Sequence, residues 1–213
     1  MDIPLQVSWS LVIGSGVSWT LVYILIIKRG FQDKTYGMPL VALCANISWE
    51  FIFSFIHPHG VPQFYINIVW FGLDVVILFQ VLRYGRSCNA LAAQLFYPAF
   101  FLTLGLSFWV ILSVTHRLDD WYGRYTAFAQ NFMMSVLFVA MLCRRKSIAG
   151  QSLYIAVFKM LGTILPSILF HLKYPSSSFL NFLYIAIFLF DGAYLALLYR
   201  KCREQGVNPW KRL

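Results

Sequence analysis

Charge is what this sequence has least of. Only 12% of its 213 residues are charged and just eight are acidic, where a soluble domain would carry about a quarter, and this excludes a water-soluble globule with a charged surface. Cysteine is scarce as well. Cys44 lies within an apolar run, and Cys88, Cys143 and Cys202 lie near basic loops, which excludes a disulfide framework. Neither CxxC nor HExxH occurs, and His57 and His59, which flank Pro58, read as a helix end rather than a metal pair. No metal site is expected. There is no composition break, low-complexity tract or obvious repeat, so residues 1–213 read as a single domain.

What the chain has instead is apolar length: 60% of it is hydrophobic, with a mean hydropathy of +0.68. Seven runs, approximately 5–27, 38–56, 63–82, 92–113, 122–143, 151–171 and 177–199, each approach the ~20 residues a helix needs to cross a ~30 Å hydrocarbon core. The fold class is therefore all-α, a polytopic membrane protein of seven transmembrane helices in contact with the bilayer. The first run is too long for a removable signal peptide and lacks a basic start.

Lys and Arg set the orientation. Thirteen of the seventeen basic residues follow spans 1, 3, 5 and 7: Lys28, Arg29, Lys34, Arg83, Arg86, Arg144, Arg145, Lys146, Arg200, Lys201, Arg203, Lys211 and Arg212. The other side carries Arg117, Arg124 and Lys173. The amino terminus is expected outside and the carboxyl terminus in the cytosol. The net charge of +9 is thus a topology signal, and its division among four short loops excludes a nucleic-acid surface.

Four ionisable residues remain inside the spans: Glu50, Asp74, Lys159 and Asp191. Exposed to lipid they would together cost on the order of 10 kcal/mol, so they must face inward, be paired, or be neutral. Counting from the ends of the runs puts Asp74, Lys159 and Asp191 roughly 12 Å from the cytosolic end and Glu50 roughly 9 Å from the outer end. Lys159 is expected to pair with Asp74 or Asp191. Glu50 has no basic residue at its depth, and a desolvated, unpaired carboxyl holds its proton, which makes Glu50 a candidate general acid. Asn46, Phe53 and Ser54 share its helical face and Trp49 precedes it. Trp70 lies one turn before Asp74, while Tyr184, Phe188 and Tyr194 accompany Asp191. Their aromatic faces could stabilise cations.

Buried acids among seven helices fit several machines. A microbial-rhodopsin-like pigment needs a lysine in its last helix, and span 7 has none. A proton-coupled small-solute transporter of the PQ-loop type has in its favour the literal Pro62-Gln63, but two repeated three-helix halves are not visible. The third reading is an intramembrane enzyme acting on a lipophilic substrate.

The segments "MPLVALCANISWEF", "WFGLDVVI", "GQSLYIAVFKMLGT" and "DGAYLALLY" resemble, in order and over about two-thirds of the chain, the small integral-membrane terpene cyclases typified by the pyripyropene and paxilline pathway enzymes of fungi, which have bacterial relatives. The resemblance implies a seven-helix, cofactor-free cyclase. It would protonate the epoxide or alkene of a prenylated small molecule, a meroterpenoid or prenylated indole, and close rings through carbocations without metal or oxidation. By motif it also implies that Glu50 and Asp191 are the two essential acids, with Asp74 a third position of the same type; Asn46, Trp49, Phe53, Trp70, Lys159, Tyr184, Phe188 and Tyr194, read above from their spacing and depth, are the supporting candidates. Minimal loops point toward a bacterial member in a plasma membrane; a fungal one would occupy the endoplasmic reticulum membrane. An ionising terpene synthase would need Mg²⁺-binding acids, whereas Asp119-Asp120 lacks a third acid at a fitting spacing and reads as a solvated helix start.

Overall fold

A computed structural model describes residues 3–88, 94–145 and 147–213. Lys146, counted above among the basic loop residues, and the first two residues of the fourth run lie outside the described residues, as does the side chain of Cys88. The described chain is helical throughout: α1 (Leu5–Gln32), α2 (Leu40–Phe51), α3 (Gln63–Cys88), α4 (Phe96–Arg117), α5 (Arg124–Arg144), α6 (Leu153–Lys173) and α7 (Ser178–Glu204), with a 3₁₀ turn at Pro209–Lys211. Several helices outrun the apolar runs that announced them, α3 and α7 by about a turn or more, because long basic side chains can cover apolar surface while their charges reach water.

Among the described residues, six helices are long and apolar enough to cross a membrane; α2 with its continuation, Leu40–Ile56, is shorter. That continuation is a π-helical turn, Ile52–Ile56, beginning two residues after Glu50. Such turns cluster at functional sites because the extra residue re-aims the side chains around it. The helix starts deep, since residues 35–39 before it are already buried.

Neighbour relations close a ring. α1 packs on α3 and α6, α2 on α3 and α5, and α7 bridges α5 to α6, while α4 lies outside against α2. Close approach at the α1–α6 seam depends on Gly162. A Cβ there would stand 2.7 Å from the Trp19 ring, and Ser15 Oγ donates to the Gly162 carbonyl at 2.7 Å. At the neighbouring α1–α3 seam, Trp70 Nε1 donates to Thr20 Oγ1 at 3.1 Å.

One end of the bundle is tied off. Asp33 accepts from Arg212 Nη2 (2.7 Å), from Arg29 Nη2 (2.5 Å) and from the Gly150 amide (2.7 Å), and Lys201 donates to the carbonyls of Leu142 and Arg145. The basic residues of this end therefore also serve as fasteners that strap the carboxyl-terminal segment across the helix ends.

Candidate active site

Inside the ring, open toward the end away from those basic loops, lies a cavity of about 360 Å³ walled by α1, α2, α3, α5 and α6, within the size range of small-molecule sites. Its lining includes the aromatic rings of Trp19, Tyr23, Trp49, Trp70, Phe128 and Phe170; among the described residues Glu50 is the only carboxylate that lines it.

Glu50 is 1% exposed and Asp74 0%. Tyr23 OH donates to Glu50 Oε1 at 2.6 Å. Asn46 Nδ2 reaches Glu50 Oε1 at 2.9 Å, Asp74 Oδ2 at 2.8 Å and the Tyr23 hydroxyl. The amide has two hydrogens for these three acceptors, so it acts as a shared clamp between two carboxyl groups. The two carboxyl groups also lie within hydrogen-bonding reach of each other, and neither acid is in an ion pair among the described residues.

The depth count had separated Glu50 from Asp74, yet they meet through one residue. Asn46 lies one turn below Glu50 on α2 and spans the offset. The count erred because α2 starts inside the bundle, so distance along its apolar run is not depth.

Lys159 resolves differently. Its Nζ lies 2.6 Å from Asp191 Oδ1, 2.6 Å from Ser135 Oγ and 3.3 Å from Asn131 Oδ1. Of the two expected partners the ammonium takes Asp191, because α7 packs on α6 whereas α3 faces α1 and α2. Neither Lys159 nor Asp191 lines the cavity; the ammonium stands 5.8 Å from the Trp19 ring centroid.

The other expected residues divide. Asn46, Trp49 and Trp70 line the cavity. Phe53 does not: it is fully buried, stacked on His59 at 4.9 Å. It packs beneath Gly123, whose φ of +58° and tight fit against that ring suit glycine alone. Tyr194 is buried elsewhere, donating to Gln151 Oε1 at 3.0 Å. Tyr184, Phe188 and Asp191 line a separate groove of about 350 Å³ between α6 and α7. His57 faces His116 and Trp121, so it does not join His59. Asp120 lies in the turn just before α5 and accepts the Tyr125 amide of its first turn at 2.8 Å, but it is 1% exposed rather than solvated. Burial raises its carboxyl above the usual range, against the pull of the Tyr125 amide and Arg124. Tyr23, Trp19, Gln130 and Asn131 were missed. A search for formal charge passes over them; the signal available was Ser15, Trp19 and Tyr23 at four-residue spacing on α1.

Comparison with known proteins then gives a consistent result. The profile of the Pyr4-like transmembrane terpene cyclases matches residues 4–204. The Pyr4-family terpene cyclase mfmH of Annulohypoxylon moriforme is 34% identical over 197 residues, covering 87% of this chain and 80% of its own. Terpene cyclase macJ of Penicillium terrestre is 32% identical over 157 residues (70% and 61%), and terpene cyclase pyr4 of Aspergillus fumigatus 25% over 225 (96% and 90%). These relatives are fungal, whereas the minimal loops had pointed toward a bacterial member. No solved structure matches.

Proposed function

The chain belongs to the Pyr4-like transmembrane terpene cyclases, and on that premise we propose that it cyclises the polyprenyl arm of a meroterpenoid or prenylated indole by protonation from Glu50. The observation that carries this is the pairing of Glu50 with Asp74 through Asn46 at a cavity with aromatic walls, neither acid being in an ion pair among the described residues. Two buried carboxyl groups so joined are stable only with a proton between them. Oε1 of Glu50 is held by Tyr23 and Asn46, and the shared proton leaves through Glu50, the member of the pair that lines the cavity.

Transfer of that proton to a terminal epoxide or alkene leaves a tertiary cation. Successive double bonds attack it, each C–C bond forming at the expense of a π bond, until a proton is lost and the product is an isomer of the substrate. Trp19, Trp49 and Trp70 offer π-faces to the travelling charge, and the dry walls keep water from quenching it. The proton lost from the final cation returns to the Glu50–Asp74 pair, which restores the shared proton before the next turnover.

Asp191 serves the same chemistry from outside the cavity. An unpaired ammonium behind Trp19 would repel every cation formed in front of it, and Asp191 neutralises it while Lys159 orients Asn131 at the cavity wall. Trp49 fixes Glu50 in place by its 3.1 Å bond to the Gly123 carbonyl. Tyr184, Phe188 and Tyr194 support α7, and Phe53 the cavity rim. The chain acts as a single domain with seven crossings, amino terminus outside, α2 being the short seventh. Fungal relatives favour the endoplasmic reticulum membrane.

The test is turnover by detergent-solubilised protein with no gradient. A prenylated substrate should give an isomer of unchanged mass, and solute flux in liposomes without any conversion would support a transporter instead.

A further inference from the structure

Above Glu50 the cavity changes character. Its rim carries Arg124 and Lys173 together with His59, Gln63 and Tyr122. Arg124 is partly engaged. Its Nε is 3.4 Å from Asp120 Oδ1, its Nη1 donates to Tyr174 OH at 2.9 Å, and its guanidinium lies 5.0 and 4.4 Å from the centroids of Tyr125 and Tyr174. Lys173 enters no ion pair among the described residues. The rim thus sets two cations against one carboxylate, and that carboxylate is already accepting the Tyr125 amide.

The rim also ends in a stack of rings. Phe53, His59 and Tyr122 follow one another at 4.9 and 6.1 Å with interplanar angles of 11° and 16°, and Tyr122, the last of them, is 66% exposed. His59 is fixed in this stack by Asn67, whose Nδ2 lies 3.0 Å from His59 Nδ1 and also donates to the Phe53 carbonyl at 3.3 Å. Asn67 Oδ1 is taken by Gln63 Nε2 at 2.6 Å, so the amide nitrogen faces the imidazole and Nδ1 is the accepting nitrogen. Burial pushes His59 down to about 4, which keeps the ring neutral and leaves Arg124 and Lys173 as the positive groups there.

Resting on the cyclase reading, we propose that this rim is a head-group subsite that binds a planar, conjugated ring carrying an ionised oxygen (a carboxylate, phenolate or enolate). The ring stacks on Tyr122, its oxygen meets Lys173 and Arg124, and the prenyl arm attached to it runs down the aromatic wall to Glu50. This orientation also keeps the two fixed cations at the mouth, far from the end of the arm where carbocation charge first develops, and pairs them with the substrate's own negative charge. An enzyme that handled a bare polyprenyl chain would gain nothing from such a rim. Cations and aromatic rings also gather at membrane surfaces as anchors; anchors would bind lipid phosphate and would not discriminate between head groups inside the cavity.

The experiment measures binding, not turnover. The full-length Glu50→Gln protein is placed in phosphatidylcholine nanodiscs and titrated, by tryptophan quenching, with a farnesylated dihydroxybenzoate and with its methyl ester, each corrected for partitioning into empty discs. The ionised probe should bind about tenfold more tightly, the factor that ~1.4 kcal/mol carries. Lys173→Gln should shrink the preference to about twofold, and Lys173→Glu should reverse it; Lys173 is exposed and outside every ion pair of the described residues, so neither change threatens folding. Tyr122→Leu should weaken both probes alike. Equal binding of acid and ester, or a preference untouched by Lys173→Glu, overturns the subsite while leaving wild-type turnover to judge the cyclase reading on its own.

Discussion

Replacing Lys159 with Met tests how the two halves of the acid network divide their work. Lys159 is 0% and Asp191 1% exposed, and the ammonium spends its three hydrogens on Asp191, Ser135 and Asn131. Removing it strands a carboxylate inside the bundle, with Oδ2 already lacking a partner, at a cost of about 3–5 kcal/mol. Adding Asp191→Asn removes the stranded charge. The double mutant should then lie only about 1–2 kcal/mol below wild type, since what remains is a lost hydrogen-bond network, and the coupling should exceed about 1 kcal/mol. Adding Asp74→Asn to Lys159→Met should give no recovery. Thermal and denaturant unfolding in detergent, followed by tryptophan fluorescence, reads all of these. Recovery with Asp74→Asn, or no loss on Lys159→Met, would refute the pairing. Turnover by the folded Lys159→Met/Asp191→Asn protein separates two roles for Asp191: activity that returns with the neutral pair assigns it an electrostatic role, and activity that stays absent makes it a direct participant in the chemistry.

Two other outcomes follow from the same geometry. Asn46→Ala unclamps the acids and should lower kcat by about a hundredfold, within the range ascribed to a positioned general acid, with KM shifting only a few-fold; an unchanged kcat would remove the clamp from the mechanism. His59 is held at about 4 by burial against roughly 6.5 when unfolded, so between these values the unfolded chain binds more protons. The stability it contributes is fully present above about pH 6.5 and is lost as pH falls toward 4, by about 1–2 kcal/mol at its partly buried position. His59→Gln should flatten that slope in melts across pH 4–7, and an identical slope would contradict it.

Much of this was legible because membrane solvation is a harsh editor. A helix interior that tolerates almost no charge makes Glu50, Asp74, Lys159 and Asp191 conspicuous, and equal counts from the loops brought Lys159 to the level of Asp191. What the residues could not give was neighbourhood. Which acid Lys159 meets depends on α7, rather than α3, lying against α6, and nothing local to those helices encodes it. The same ignorance set Glu50 and Asp74 at different depths, because α2 starts inside the bundle and turns π-helical after Glu50. Tyr23 escaped because a phenol in an apolar run looks like packing; only the fold shows its hydroxyl 2.6 Å from Glu50. Phe53, on the right face of α2 by period, was carried under Gly123 and out of the cavity.

The most direct measurement of the central claim is single-turnover conversion of a prenylated substrate by purified Glu50→Gln protein beside wild type, with matched melting curves as proof of folding. Gln keeps the shape and hydrogen-bonding reach of the side chain but has no carboxyl proton to give. The proposed mechanism predicts that wild type yields a cyclic isomer of unchanged mass while the folded variant binds the substrate and yields none. Cyclic product formed by the folded variant at a rate within about tenfold of wild type, a difference of only ~1.4 kcal/mol in the barrier, would contradict it.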